Sequence, residues 1–155
     1  MTHDKVIRRG EIVQDDWTYA LDGEAYEAGQ KVIVTLERFL AEKADLLEVA
    51  DSVGVLLLGA DDPRALVEHF DALGAIAVDF PKFTDGRGYS HARMLRDRHG
   101  WSGELRAHGD VLRDQALYMV RCGFDVLELR KERDLEGALE AFEEFSVKYL
   151  SLIHI

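Results

Sequence analysis

The run Phe80-Pro81-Lys82-Phe83-Thr84-Asp85-Gly86-Arg87-Gly88-Tyr89-Ser90 gathers an ammonium, a carboxylate, a guanidinium, a hydroxyl and two glycines. It stands just ahead of a predicted helix, whose exposed N–H groups and dipole favour an anion. Arg87 can grip an oxyanion with a planar, two-pronged fork, and Lys82 adds a point charge. The residues that follow other predicted strands extend the set: Asp61 and Asp62, then His108, Asp110 and Arg113, then Arg130 and Lys131. The same cluster has a bracing alternative, in which Arg87 pairs with Asp85 or Asp110 and the glycines serve the turn.

Other chemistries find less support. Gly86-Arg87-Gly88 would need its third glycine at His91 to bind a dinucleotide, and no GxxxxGK phosphate loop occurs. No HxxxH or CxxC spacing favours a metal, so the site set contains no metal ligand. His108 has a plausible acid–base position between a strand and Asp110, with a loop-bracing hydrogen bond as the alternative. Cys122 falls at a predicted helix C-terminus, where the dipole disfavours a thiolate; it reads as a small buried hydrophobe. A single cysteine excludes an intrachain disulfide and an iron–sulfur cluster.

The elements that must position these groups alternate between strand and helix. Val53 to Leu58 is an apolar run suited to a strand buried on both faces. Asp61-Asp62-Pro63 opens a helix carrying Leu66, Val67, Phe70 and Leu73, which Gly74 stops. Strands follow at Ala75 to Asp79, Glu104 to His108 and Asp125 to Leu129. Helices follow at about Tyr89 to His99, Val111 to Cys122 and Leu135 to Tyr149, with Gly100 and Gly123 as stops. Strands so separated lie parallel. The fold class is therefore α/β with a mainly parallel sheet, either a half-barrel or an open doubly wound sheet.

The chain of 155 residues reads as one domain, residues 1–149. Residues 1–50 form a hairpin-like N-terminal extension and 51–149 the βα core. In the extension, Val6-Ile7 and Ile12-Val13 flank a turn, Trp17 and Tyr19 cover one end of the core, and Lys31 to Val34 suggests a strand. Leu36, Phe39, Leu40, Ala44 and Leu47 make an amphipathic helix. Leu150 to Ile155 is out of phase with the helix before it and reads as a non-native tail, with a docking tail as the alternative.

The net charge is −11. Phe80 to Arg121 holds eight basic and five acidic residues, a local +3, which leaves −14 elsewhere. That pattern disfavours duplex nucleic acid and suits a small anion or an acidic patch on a partner. No apolar run approaches membrane-spanning length, and Met1-Thr2-His3-Asp4 does not open a signal peptide. The expected location is the cytoplasm.

The loop 80–90, together with Ala92-Arg93, Leu95-Arg96, Gly103 to Ala107, Gly109-Asp110-Val111, Arg113-Asp114-Gln115 and Arg121 to Asp125, resembles the bacterial family known as domain of unknown function 934. The resemblance implies a cytoplasmic role in sulfur assimilation, in a family often labelled an oxidoreductase of sulfite reduction, and supplies neither a mechanism nor a cofactor; the sequence carries no flavin, nicotinamide, haem or cluster motif. On that basis Lys82, Arg87, Ser90, Arg106 and Arg113 would hold a small sulfur oxyanion, and Asp110 or Asp85 would act as the acid–base group. His108 departs from the small apolar residue expected at its place. The alternative is a non-catalytic accessory or assembly partner of sulfite reductase, docked through Arg93, Arg96 and Arg98. A third possibility is a braced half-barrel whose open edge pairs with a second copy.

Overall fold

The computed structural model describes residues 5–21, 23–82, 86–131, 134–140 and 143. Among the described residues, eight strands form a single sheet in the order β2-β1-β8-β7-β6-β5-β4-β3. They are β1 (Lys5–Arg8), β2 (Glu11–Gln14), β3 (Trp17–Tyr19), β4 (Lys31–Thr35), β5 (Ser52–Leu57), β6 (Ala75–Phe80), β7 (Glu104–Gly109) and β8 (Val126–Leu127). From β3 to β8 every neighbouring pair is parallel. The β1–β2 hairpin adds antiparallel to β8. Its turn, Arg9-Gly10, has positive φ at both residues (49° and 83°), the backbone that matches strand twist in a two-residue connection.

The sequential order of the parallel strands decides between the two expected architectures. A doubly wound sheet reverses its order part-way. Here each connection steps to the next strand in the same direction, so the sheet is a curled half-barrel of mixed sense. Its two edge strands, β2 and β3, are joined only by Asp15 and Asp16. A link of that length spans about 10 Å, which draws the edges toward each other.

Side-chain alternation sorts the residues onto two faces. Val32, Val34, Val53, Val55, Leu57, Ile76 and Val78 pack outward into the main core. Trp17, Tyr19, Ile33, Leu56, Ala75 and Ala77 form a second cluster on the opposite, concave face. Small residues make room there. A Cβ on Gly74 would lie 2.1 Å from Ser52 Oγ and 3.1 Å from the Trp17 ring. Gly74 is thus kept by close packing rather than by the helix-stop geometry expected of it. Gly100 and Gly123, with φ of 71° and 108°, do end their helices in the left-handed conformation.

Several helical segments depart from the regular α-helical turns that the sequence suggests. Pro63–Ala72 is a 3-10 helix capped by Asp62. Its three-residue turn brings Pro63 and Leu66 inward and leaves Val67 38% exposed. Helix α1 (Leu36–Val49) buries Leu36, Phe39 and Leu46, whereas Leu40 and Leu47 face outward. A non-helical Glu42 shifts its phase midway. Helix α2 (Arg87–Arg93) runs into a π-helical turn over Met94–Arg98. The segment before β8 holds a 3-10 turn, Arg113–Gln115, and helix α3 (Ala116–Arg121). Residues 135–140 are helical. The rest of the expected final helix, apart from residue 143, lies outside the described residues, as does the 150–155 tail. Among the described residues no helix is long and apolar enough to cross a membrane.

Candidate functional site

A cleft of about 590 Å³ opens at the C-terminal ends of β5 and β6, where barrel-like sheets carry their ligand sites. One wall is the loop after β5, Gly59 and Asp61 to Arg64; the other is α2 and its π-helical turn. Arg87, Ser90, His91, Met94 and Arg98 recur at helical spacing and so share the face turned to the cleft.

The wall positions are fixed locally. Asp61 accepts from the Leu58 N–H at 2.7 Å and closes the loop. Asp62 caps the 3-10 helix and takes the Arg64 guanidinium at 2.8–3.1 Å, which holds its carboxyl below the ordinary value. His91 is 7% exposed, and its Nε2 donates to the Leu58 carbonyl at 3.0 Å, tying α2 to the loop. The Arg87 guanidinium lies against Gly59, where a Cβ would come within 2.5 Å of its central carbon. Gly88 plays the matching role beneath: a Cβ there would enter the Phe80 ring at 2.5 Å. His99 lines the same cleft and buries Nε2 with no hydrogen-bond partner among the described residues.

A second polar group occupies the concave face. Residues 104, 106 and 108 of β7 project to one side by strand alternation. Arg106, 1% exposed, donates to Asp15 (2.7 Å), Glu104 (3.0 Å) and Glu128 (2.9 Å). Burial would push its guanidinium down, but Glu128, Tyr19, Asp15 and Glu104 outweigh that and keep it charged. Glu128 also accepts from His108 Nδ1 at 2.8 Å and from the Tyr19 hydroxyl. The rings of Tyr19 and His108 stack at 4.3 Å. Tyr19 from one edge strand thereby fastens the far side of the sheet.

The expected site residues therefore separate. Arg87 and Ser90 line the cleft. Lys82 is exposed on the adjoining loop but is not in the wall. Asp85 lies outside the described residues. Arg106 faces the concave interior and is taken up by three carboxylates, away from Arg87. Asp110 receives Arg130 at 2.6 Å. Arg113 is 59% exposed and lies across Gly137. His108 is held by Glu128, in keeping with the bracing alternative.

The expected arginine face on the helix also divides. Arg96 turns inward to the carbonyls of Trp101, Gly103 and Gly123 at 2.8–2.9 Å. Arg98 faces the cleft, and Arg93 sits over the Tyr118 ring on the other flank. Cys122 is 5% exposed at the end of α3, as its position suggested.

Reasoning from sequence missed Arg64, His91 and His99 as cleft residues and Tyr19 and Glu128 as partners of Arg106. Arg64 follows Asp62 and Pro63 at a helix start, a position available to inspection. The Tyr19–Glu128 pair is 109 residues apart and had no local signal.

No curated protein and no solved structure matches the chain. Residues 54–153 match the family described as "Bacterial protein of unknown function (DUF934)", and that span contains every residue of the cleft. The chain belongs to the DUF934 family of bacterial proteins.

Proposed function

We propose that this protein binds a small oxyanion at the C-terminal edge of its parallel strands, in the cleft between the β5 loop and α2. The observation that carries the reading is the presence of Arg87, Arg98 and Ser90 on one concavity, with Arg64 beside them on the Asp62 carboxylate. Guanidinium forks match the planar or tetrahedral faces of oxyanions, and a recess strengthens such charge-assisted bonds. The assignment to sulfur assimilation, with sulfite or a related ion as ligand, comes from the family resemblance and not from the cleft. Calorimetric titration of the intact protein with sulfite, sulfate and phosphate tests both parts. Saturable binding with sulfite preferred is the expected result. Binding of phosphate in preference removes the sulfur assignment, and no heat from any ion removes the site.

A specific observation also favours the accessory reading, in which the protein docks on sulfite reductase. Tyr118 is 44% exposed, packs against the Tyr89 ring at 4.7 Å with the planes tilted by 48°, and carries Arg93 over its own ring. Exposed tyrosine with arginine is the composition of protein-binding hot spots. Arg93 and Tyr118, rather than a continuous arginine helix, would make that contact. Capture of purified sulfite reductase by wild type, and its loss in Tyr118→Ala, is the corresponding test.

A further inference from the structure

We infer that His91 sets which oxyanion the cleft accepts: one that carries a proton, such as hydrogensulfite or hydrogenphosphate, in preference to a bare ion such as sulfate. This rests on the oxyanion reading of the same cleft and adds the class of ligand and the residue that selects it. The tautomer is the first argument. His91 is 7% exposed, and its Nε2 lies 3.0 Å from the Leu58 carbonyl oxygen. A carbonyl only accepts, so the ring proton sits on Nε2, and the neutral ring keeps its lone pair on Nδ1. Nδ1 has no hydrogen-bond partner among the described residues and is not sealed from solvent. The ring lines the cleft, so that lone pair faces what the cleft holds.

Place is the second argument. His91 stands between Arg87 and Arg98 on the stripe of α2 and its π-helical turn that borders the cleft. An ion that meets either guanidinium therefore comes beside the imidazole. A bare oxyanion offers only lone pairs, which displaces the water on Nδ1 and leaves that acceptor unpaired. A proton-bearing oxyanion donates its O–H to Nδ1 while its other oxygens accept from the guanidinium. The opposite wall works in the same direction. Asp61 and Asp62, the latter also held by Arg64, are acceptors when ionised. Sites that hydrogen-bond a ligand hydroxyl strongly reject the analogue that lacks it.

The shared chemistry is an oxyanion with one O–H, and two matched pairs separate its sources. Calorimetry on the intact chain near neutral pH should compare hydrogenphosphate with fluorophosphate, in which fluorine replaces the hydroxyl. It should also compare sulfite, which exchanges with its protonated form, with sulfate, which carries no proton. The proton-bearing member of at least one pair should bind about tenfold or more tighter than its counterpart. The pair that shows the gap identifies the source as phosphorus or sulfur. His91→Phe keeps the bulk of the ring and removes both nitrogens, so the gap should close in it. His91→Leu is the smaller replacement should phenylalanine disturb the fold. No gap in either pair with wild type overturns the inference and leaves the oxyanion reading standing. A gap that persists in a folded His91 variant overturns it as well. No binding by any of the four ions removes both.

Discussion

Arg106 Nε donates to Glu128 at 2.9 Å on the concave face of the sheet, where neither side chain is more than 2% exposed. The pair joins β7 to the residue after β8, and through Glu128 it reaches Tyr19 on the opposite edge strand. Three carboxylates share this one guanidinium, Glu104 also meeting Arg8 and Glu128 also meeting His108. Replacing Arg106 by Met should therefore destabilise the fold by about 3–5 kcal/mol, because it leaves buried charge uncompensated. Urea unfolding would measure this. Adding Glu128→Gln to Arg106→Met should restore part of the loss, and full additivity of the two changes would show that the pair is not coupled.

The same network sets how stability responds to pH. Burial pushes the Glu128 carboxyl up, but His108, Arg106 and Tyr19 outweigh it and hold the group below the ordinary glutamate value. A lowered folded pKa contributes stability above the unfolded pKa, and that stability is lost as pH falls through the folded one. Asp15 is raised, chiefly by burial, and acts in the opposite sense. Tyr19 is raised well above 10.0 by burial first and by Glu128 second. Its contribution is complete below the unfolded tyrosine pKa and is lost as pH rises through the folded one. The melting temperature should thus hold through neutrality, fall at acid pH below the glutamate range, and fall again above about pH 10. Glu128→Gln should flatten the acid fall; an acid fall as steep as wild type would contradict this account of Glu128.

Gly59→Ala probes the cleft without replacing a charged residue. The new methyl would occupy the place of the Arg87 guanidinium, which is the end of a flexible side chain and can move. The melting temperature should stay close to wild type, while sulfite affinity falls a few-fold, about 1 kcal/mol. Calorimetry beside thermal unfolding would show whether the two properties separate. If affinity is unchanged, the placement of Arg87 against the β5 loop does not matter to binding.

Packing on the concave face makes a further prediction. Gly74→Ala would drive a methyl to 2.1 Å from Ser52 Oγ and toward Trp17. Overpacking of that kind costs about 1–3 kcal/mol. Ser52→Ala removes the nearest atom, so the double variant should recover a measurable share of the loss. A double variant no more stable than Gly74→Ala alone would point to Trp17 as the obstacle.

Much of the fold was legible because parallel strands announce themselves. Val53 to Leu57 and Ala75 to Val78 are apolar on both faces, and the strands fall within a residue or so of expectation at those places. The hairpin was visible in Arg9-Gly10. What was hidden depends on contacts between distant parts of the chain. Trp17 to Tyr19 is too short to read as a strand, yet it forms one edge of the sheet. Leu40, ahead of the phase change at Glu42, and Leu47, beyond it, face outward, although periodicity placed both on the buried stripe.

The site shows the same division. Arg87 and Ser90 could be found because they follow a strand and sit on one helical face. Arg106 looked equivalent by charge, but charge alone does not tell which face of a strand a residue occupies. Its partners, Asp15 and Glu128, come from the two ends of the chain. His99 had no distinguishing spacing; it caps the π-helical turn and lines the cleft.

The central claim is that the cleft lined by Arg87 and Arg98, and not the remaining arginines of the basic segment, holds the anion. The most direct measurement is the sulfite-induced rise in melting temperature for wild type, Arg87→Ala and Arg113→Ala. At sulfite concentrations about 100 times the dissociation constant, wild type should gain about 2.7 kcal/mol, several degrees for a domain of this size. Arg113→Ala should keep that gain and Arg87→Ala should lose most of it. A full gain in Arg87→Ala, or loss in Arg113→Ala alone, would contradict the account and place the anion elsewhere.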